Sequence, residues 1–529
     1  MATAVVTQAP RIVVLRPVAD RTLSVPGSAA AIVGTVVVAD KGAVGVPLYV
    51  TRDSMQSVFG KPMPMSKGTN AEGLRQLDDA LMECQYGWVV RAISADARFP
   101  SITFPATGAP VKANHAHGTD VALSGAQWLA VFAKDGHPST NRRVTIRDVD
   151  AESARFTLLL EEKQGSEWVK LETFKQLGAK EDDVDDMGLP AYAPTVLESM
   201  SAYINCAISP DADFEALEAA STDGVLVNGA VFEGGTNGGD PTVDEIKAAW
   251  DILKNSERTF NLALAAGQYD PEVIRHAEGI CDELLVQFRF DAPTYMTETQ
   301  VYEWIKALNL PNSYQASCFH YPYKATDKFY GGKSVWGVSG EGTAAKARGY
   351  ATSTGHADIP GVHFAAAGEI RGFIARSGIE PLHNTGKLSA EDKVEVKEGS
   401  RVVGRWNPVD QGKVIGDALT MYGRNNYLRF EHVVAIHNRI MGDCLTAARF
   451  AKFEPDGLTK EILTRLCNEV CQKYVESGAL VTPRDIEADG LDPFRVIVVQ
   501  QEIDLWKITV EFCPTGVFRR GAIQSVLIK

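Results

Sequence analysis

The sequence lacks paired cysteines, a positive net charge and long apolar runs, and each absence excludes a class of protein. Its eight cysteines include no Cys-x-x-Cys pair. We therefore interpret them all as packing residues of a reduced chain rather than as disulfide, redox or metal-binding residues. The net charge of −14 and the pI near 5.3 argue against a general nucleic-acid binder, because phosphate contacts need a basic surface.

Targeting and membrane segments are also missing. Residues 1–10 carry no basic side chain, so we expect no secretory signal peptide. No apolar run approaches the roughly 20 residues that a membrane-spanning helix needs. The 529 residues, of which 45% are hydrophobic and 23% charged, predict a folded cytosolic chain of about three or four domains.

An α/β pattern begins at residue 29 and is interrupted once. Its first part has strand-like runs at 30–39, 48–50 and 88–93 and a helical pattern at 73–85. Its second part has strands at 225–231 and 260–265, a glycine-rich turn at 234–239, and helices at 242–255 and 271–284. Such alternation predicts a parallel or mixed sheet covered by helices. The strand-like runs and polar loops between the two parts predict an inserted β-rich domain.

The last hundred residues predict two helices followed by strands. Apolar residues recur at helical spacing from Phe430 and again after Gly457, and Gly478 stands where a left-handed residue ends the second helix. Strands are predicted near 495–501 and 506–512, and a third apolar run occupies 522–528. A β-type run at 12–15 mirrors it at the other end of the chain. Terminal strands of this kind can add to another subunit's sheet, and a disordered tail is the alternative for the N-terminal run.

Several motifs resemble catalytic or metal sites but lack an essential part. Gly332-Lys333-Ser334 looks like the end of a phosphate-binding loop, yet Asp327 stands where that loop needs its first glycine. Two groups could be drawn as metal ligands, namely His115, His117 and Asp120, and His356, Asp358 and His363; both lie in stretches without regular structure to fix ligands. The acidic run at 181–186 lacks the ligand spacing of a calcium loop, and no Gly-x-Ser-x-Gly elbow occurs. We expect no catalytic residue, no metal and no cofactor.

An ordered series of short motifs spans nearly the whole chain. In order, it comprises Ala31-Ile32-Val33-Gly34, the stretch from Gly42 to Pro47, Leu48-Tyr49-Val50-Thr51, Phe59-Gly60, Trp88-Val89-Val90-Arg91-Ala92, Asn141-Arg142-Arg143-Val144-Thr145-Ile146, Gly234-Gly235-x-x-Gly238, Ser339-Gly340, Ala365-Ala366-Ala367-Gly368, Leu428-Arg429-Phe430 and Phe453-Glu454-Pro455. In order and spacing this series resembles the tail sheath proteins of contractile-tailed bacteriophages and related injection machines.

The resemblance implies a multidomain α/β fold with additional α+β parts. Its middle domain would be an α/β sandwich similar to subtilisin in fold but without the nucleophile, interrupted by an outer β-rich domain and followed by a C-terminal α+β domain with swapped terminal strands. The implied boundaries are an N-terminal arm at 1–28, the α/β domain at 29–94 and 206–375, the inserted domain at 95–205, the C-terminal inner domain at 376–515 and a C-terminal arm at 516–529.

The resemblance also implies a mechanical role. Subunits of this family stack as six-fold rings around a tail tube, exchange arm strands with neighbours and shorten on a signal from the baseplate. The implied partners are further copies of the chain, the tail tube protein, and baseplate and terminator proteins, without nucleic acid or membrane insertion. The implied location is the virion, after assembly in the host cytoplasm.

Two sets of residues follow as candidate interaction residues. The strand-exchange set is Ile12, Val13, Val14, Leu15, Ile523, Val526, Leu527 and Ile528. The candidate tube-facing cations are Arg429, Arg439, Arg449, Lys452, Lys460, Arg465 and Lys473. The alternative for the cations is an ordinary solvated face, or pairing with Glu461, Glu469 and Glu476. The rival functions are the sheath of a bacterial contractile secretion system and, in a different class, an α/β hydrolase.

Overall fold

The structure is a computed structural model that describes residues 31–119, 121–124, 127–136, 141–185, 188–310, 313–356, 358–382, 406–424, 426–452, 454–501 and 505–518. The predicted arm strands at 12–15 and 522–528 lie outside these residues, as does Asp120. Among the described residues, no helix combines the length and apolar character that crossing a bilayer requires.

The first part of the α/β pattern contains the three predicted strands and the predicted helix, which ends at Ala80 instead of near 85, and adds a short helix that was not predicted. Its elements are β1 (Ile32–Val38), β2 (Pro47–Val50), α1 (Met55–Phe59), α2 (Gly73–Ala80) and β3 (Tyr86–Ala92). Strand β1 pairs with β3 in parallel and lies inside the sheet. Because both faces of β1 are covered, all seven of its residues are buried, as expected of a central parallel strand.

The inserted domain is larger than the sequence predicted. Its elements are β4 (Arg98–Pro105), β5 (Val111–Ala116), β6 (Gln127–Ala133), β7 (Arg142–Asp150), β8 (Arg155–Gln164), β9 (Glu167–Gly178), α3 (Ala193–Met200), β10 (Ile204–Ile208), α4 (Phe214–Ala220) and β11 (Val225–Val231). They form two four-stranded sheets, in the orders β10-β6-β4-β5 and β11-β7-β8-β9. Both β10 and β11 therefore belong to the inserted domain, and its predicted boundary at 205 is wrong. The boundary was misplaced because β11 pairs antiparallel with β7. These strands are about eighty residues apart, and the local sequence pattern does not reveal such a pairing.

The second part of the α/β pattern completes the main sheet. It contains α5 (Val243–Asn255), β12 (Leu262–Leu264), α6 (Pro271–Leu284), β13 (Gln287–Asp291), α7 (Glu298–Leu308) and β14 (Ala316–Phe319). The six strands run in the order β14-β13-β12-β1-β3-β2, and only the edge strand β2 is antiparallel to its neighbour. Helix α5 begins with a capping box in which Thr242 and Glu245 bond each other's backbone amides, the arrangement that a Thr-x-x-Glu sequence predicts.

Helices cover both faces of this sheet. On β1, Ile32, Val36 and Val38 face the cluster formed with α5, α6 and α7. Val33 and Val37 of the same strand face a second cluster, because successive strand residues point to opposite sides. The fold of this part is thus three-layered, with helix, sheet and helix.

The chain after β14 adds small strands and a buried helix. The elements are β15 (Tyr323–Thr326), β16 (Lys333–Ser334), α8 (Ser339–Ala351), α9 (Gly368–Arg371), β17 (Glu380–Pro381), β18 (Val409–Asp410) and β19 (Val414–Ile415). Val409 and Ile415, which lie beyond the predicted start of the C-terminal domain at 376, pack with Phe319 and Tyr321 of the α/β part. The amide of Met421 also bonds the carbonyl of Ala316 in β14.

The C-terminal module consists of α10 (Glu431–Ala448), α11 (Asp456–Glu476), α12 (Ile486–Asp489), β20 (Phe494–Gln500) and β21 (Trp506–Phe512). The two long helices, the two strands and the left-handed Gly478 (φ +78°) were all predicted. Their packing was not, because Ile436 and Ile440 of α10 share one apolar cluster with α2, α8 and the main sheet. The module therefore rests on the α/β part rather than on a separate core.

The two ends of the inserted domain lie side by side. The amide of Ala95 donates to Glu245 Oε1 at 2.5 Å, and Arg91 Nη2 donates to Asn237 Oδ1 at 2.6 Å. Chain entry and chain exit are thus both held against the end of β3 and the start of α5. An excursion of this kind can be lengthened or removed without threading through the core.

Replacing residues 95–240 by a short linker should therefore leave the α/β part and the C-terminal module folded. Removing only 95–205 should give insoluble protein, because β11 would remain without its partner β7. Circular dichroism and size-exclusion chromatography of both deletions would measure the difference. Equal behaviour of the two variants would contradict the assignment of β11 to the inserted domain.

Candidate assembly surface

The β20–β21 hairpin has one packed face and one open face. Phe494, Val496 and Val498 pair with Phe512, Val510 and Ile508, and these side chains lie against the helices. On the other face Arg495 pairs with Glu511, and Ile497 and Val499 are exposed. In the described part of the chain neither strand has a second strand neighbour. Both outer edges therefore present backbone donors and acceptors that another strand can use.

Side-chain contacts join helices α10 and α11 beneath this hairpin. Tyr474 donates its hydroxyl to Asp443 Oδ2 at 2.6 Å, and Arg439 Nε lies 3.3 Å from Asp443 Oδ1. Burial opposes the charge of Arg439, but Asp443 beside it keeps the pKa of the guanidinium above its ordinary value. Arg439 thus contacts Asp443 where the two helices meet, and we remove it from the set of surface cations.

The remaining predicted cations differ in burial and in pairing. Arg429 is only 7% exposed and stacks over the Phe430 ring at 5.1 Å, so its placement on the solvated face is corrected. Arg429 ends a short 3-10 turn before α10, and its backbone carbonyl accepts the amide of Thr420. Arg465 pairs with Glu469 at 2.9 Å, the alternative that the sequence left open. Arg449, Lys452, Lys460 and Lys473 are exposed.

A groove with a cavity volume of about 630 Å³ lies where α10 ends, α11 begins and β21 passes. Its apolar lining residues include Leu445, Leu463 and Trp506, and the charged residues Arg449, Lys452, Glu454 and Asp456 line it as well. Leu445 is 59% exposed. The groove therefore joins two of the exposed cations to an apolar surface beside the open hairpin.

A buried cluster of one serine and two carboxyl groups at the start of α8 bears on the hydrolase alternative. Ser339 is the first residue of this buried helix and donates its hydroxyl to Asp291 Oδ2 at 2.5 Å. Asp291 also accepts the amides of Val338 and Ser339. Glu72 accepts the hydroxyl of Tyr269 at 2.6 Å and the amide of Gly337 at 2.8 Å. The serine and both carboxyls thus fasten α2, α8 and β13 to one another.

This cluster is not arranged for nucleophilic catalysis. Burial raises the pKa of Glu72 to about 7 and that of Asp291 to about 6, so both carboxyls resist ionisation. Ser339 has no measurable exposure and bonds Asp291 and Gln76 rather than an imidazole base. A serine nucleophile needs both a base and access for substrate. We assign the cluster to packing of the helices.

The cluster was missed by the sequence analysis. Its signal was the run of small residues in α8, since Gly340 lies against the backbone of Gln76 and Gly342 against the ring of Phe319. A side chain at either glycine would collide with these neighbours. Such a helix is buried on every side and therefore shows no amphipathic periodicity.

The other motifs have structural partners. Asp327 accepts Arg75 Nη2 at 2.7 Å and Ser334 Oγ at 3.1 Å, and Lys333 pairs with Glu380. In the acidic run, Asp183 pairs with Arg155 at 2.7 Å. The His115 ring packs on Phe99 and Phe132. No group of three or more possible metal ligands occurs in the residues that the structure covers.

Comparison with known proteins gives structural neighbours only. No protein family description matches the sequence, and no curated protein matches it. One similar solved structure is the contracted sheath complex of an extracellular contractile injection system, PVC, with 18% identity, a TM-score of 0.41, and coverage of 53% of this chain and 74% of that chain. The six-fold symmetrised baseplate of the anti-feeding prophage has 14% identity, a TM-score of 0.39 and coverage of 56% and 76%. That baseplate in its contracted state has 18% identity, a TM-score of 0.37 and coverage of 51% and 72%. Each of these three structures aligns with just over half of this chain.

Proposed function

We propose that this chain is the structural subunit of a contractile tail sheath of a bacteriophage, without enzymatic activity. In this proposal the subunits form six-fold rings stacked around the tail tube. Contraction of the stack drives the tube through the host envelope. The energy would be held in the extended assembly and released by rearrangement of interfaces.

The observation that carries the proposal is the open β20–β21 hairpin. A terminal strand of a neighbouring subunit, from Ile12–Leu15 or from the run that includes Ile523 to Ile528, would pair with one of the outer edges. A seven-residue strand would add about six backbone hydrogen bonds, each worth about 1 kcal/mol net. Association costs roughly 4 to 15 kcal/mol, so one arm alone is marginal. Two arms per subunit would make further contacts effectively intramolecular and hold the mesh together.

Electron microscopy of concentrated purified protein tests this proposal directly. Tubes or stacked rings of uniform diameter support a sheath, and incubation with nucleotide, ester and peptide substrates should give no turnover. Turnover by protein that never polymerises would instead support the hydrolase. Particles that carry DNA-filled heads would separate a phage from the second candidate, a bacterial contractile injection sheath, because both share the same subunit geometry.

The exposed cations supply a second proposal, that they meet acidic groups of the tail tube. Exposed ion pairs are worth about 0 to 1 kcal/mol each, so a sheath could hold its tube before contraction and still slide along it. Arg449 and Lys460 suit this role because they are exposed. Lys473, at the far end of α11, and Lys452 beside the groove could contribute similar terms.

The variant Arg449→Glu/Lys460→Glu should bind isolated tubes about tenfold more weakly per subunit, since two attractions of up to about 1 kcal/mol each become repulsions. Added salt should weaken wild-type binding more than that of the variant. Co-sedimentation with tubes measures both effects. The control variant Lys67→Glu/Lys306→Glu makes the same charge change at exposed residues outside the C-terminal module. Equal binding by both double variants would place the tube contact elsewhere.

A further inference from the structure

The C-terminal segment leaves the fold through a short, well-bonded stretch. The amide of Val481 donates to the carbonyl of Cys513 at 3.0 Å, and that of Thr515 donates to the carbonyl of Ala479 at 2.9 Å. Leu480 and Pro514 form an antiparallel bridge between them. We call residues 513–515, which make these contacts, the C-terminal root.

A histidine on α10 also holds the C-terminal root. His432 lies in the first turn of α10 and is 2% exposed. Its Nε2 atom is 3.3 Å from the carbonyl oxygen of Thr515. Since a carbonyl can only accept, Nε2 carries the hydrogen and a neutral ring leaves Nδ1 unprotonated. A second proton on this ring would therefore place a charge inside the fold.

A buried lysine lies in the region of His432 and disfavours a charge on its ring. Lys346 of α8 is fully buried, which holds the pKa of its ammonium well below the ordinary value, and its Nζ atom donates to the carbonyls of Val362 and Phe364, at 2.9 and 3.3 Å. The charged and titratable groups that face this region from the packed elements are Lys346 and Tyr350 of α8, Arg289 of β13, His363 of the following loop, Arg371 of α9, and Glu431 of α10 itself. Glu431, the acid in this set, is paired with Arg289.

We propose that His432 forms an acid-sensitive anchor that releases the C-terminal root when its imidazole is protonated. The charged ring would lie in an interior that also holds the buried Lys346 and whose acid is already paired. Opening the root would let water reach the ring and relieve that repulsion. The anchor is a property of the single chain and does not depend on the proposed sheath function.

The sign of the effect follows from burial. Loss of hydration lowers the pKa of His432 to about 4 and that of His363 to about 4, with Lys346 as the next cause in both. In the opened state the ring of His432, whose Nε2 atom bonds the root, regains an ordinary pKa near 6.5. The opened form therefore binds a proton that the closed form rejects as the pH falls from 6.5 towards 4. Through His432 the opening equilibrium should rise by roughly 70-fold between pH 7.5 and pH 4.5.

Hydrogen exchange of the full chain, followed by mass spectrometry and corrected for intrinsic exchange rates, tests the anchor. Peptides covering 479–481 and 513–515 should lose protection at least tenfold between pH 7.5 and 4.5. Variant His432→Gln still offers a donor to Thr515 but cannot be charged, so most of this pH dependence should disappear. Variant His437→Gln is the matched control on the same helix, because His437 bonds Asn438 instead of the root, and it should behave as the wild type.

Two further measurements apply even where His432→Gln does not fold. Exchange of the imidazole C2 hydrogen in the wild type should show His432 titrating well below 6.5. In Lys346→Met this titration should move up towards 6.5, because the facing ammonium is gone. Root protection that is independent of pH, a His432 that titrates near 6.5 in the wild type, or unchanged acid opening in His432→Gln would each overturn the proposal.

Discussion

A chain that ends after Gly516 should fold as a monomer and fail to form tubes. The last described contacts of the C-terminal root, at residues 513–515, remain in this truncation, so the fold keeps its bonds. What is lost is the strand at 522–528 that we propose for a neighbour's hairpin edge. Because one arm is marginal against the cost of association, we expect loss of polymer by at least an order of magnitude. Sedimentation and negative-stain microscopy measure the amount of polymer. Removal of residues 1–20 should cause a similar loss of polymer.

A pair of single substitutions separates the strand from the mere length of the tail. Val526→Pro should block polymerisation, since proline removes an amide donor and is poorly tolerated inside a strand. Val526→Thr keeps a β-branched side chain and should still assemble. Normal tubes from the truncated chains, or equal behaviour of the two point variants, would show that the arm does not pair as a strand.

Asp135→Leu should destabilise the chain by about 3 to 5 kcal/mol, the cost of leaving a buried charge without its partner. Asp135 binds Arg142 through both oxygens, at 2.8 and 3.0 Å, and both side chains are 1% exposed. Asp135 Oδ2 also accepts the amide of Gly42 from the loop after β1. This ion pair therefore stands where the inserted domain meets the main sheet. Denaturant unfolding monitored by fluorescence gives the free energy of unfolding.

The double variant Asp135→Leu/Arg142→Met should recover most of the lost stability, because it leaves no unpaired charge in the interior. The exposed pair Arg465–Glu469 provides the control, and Glu469→Ala should change stability by at most about 1 kcal/mol. A double variant as unstable as the single one would mean that shape, rather than charge, decides packing at this junction.

Much of the secondary structure could be predicted from local pattern. The helix predicted at 271–284 matches α6, and the alternation of Trp506, Ile508, Val510 and Phe512 correctly predicted the packed face of β21. The cysteines, interpreted as packing residues, are all free, and Cys513 is the one that is half-buried. These features depend on residues within one or two turns of each other, so the sequence carries them directly.

The candidate assembly surface was predicted only in part. The exposed positions of Arg449 and Lys460 follow from helical periodicity. The burial of Arg429 and the contact of Arg439 with Asp443 do not follow from it. Arg439 is held by Asp443 on its own helix and, through it, by Tyr474 on the next. Periodicity places a residue on a side of a helix but does not reveal what lies against that side.

What the sequence by itself determined is the local structure: which segments are strands or helices, where they end, and which of their sides are apolar. The tertiary structure alone decided which distant segments meet. It placed β11 beside β7, brought Glu431 to Arg289, and set His432 against the carbonyl of Thr515. The physical reason is that hydrogen bonds and buried charges act over a few ångströms in space. Residues brought together in this way are separated by about 80 to 140 positions along the chain, over which local periodicity carries no information.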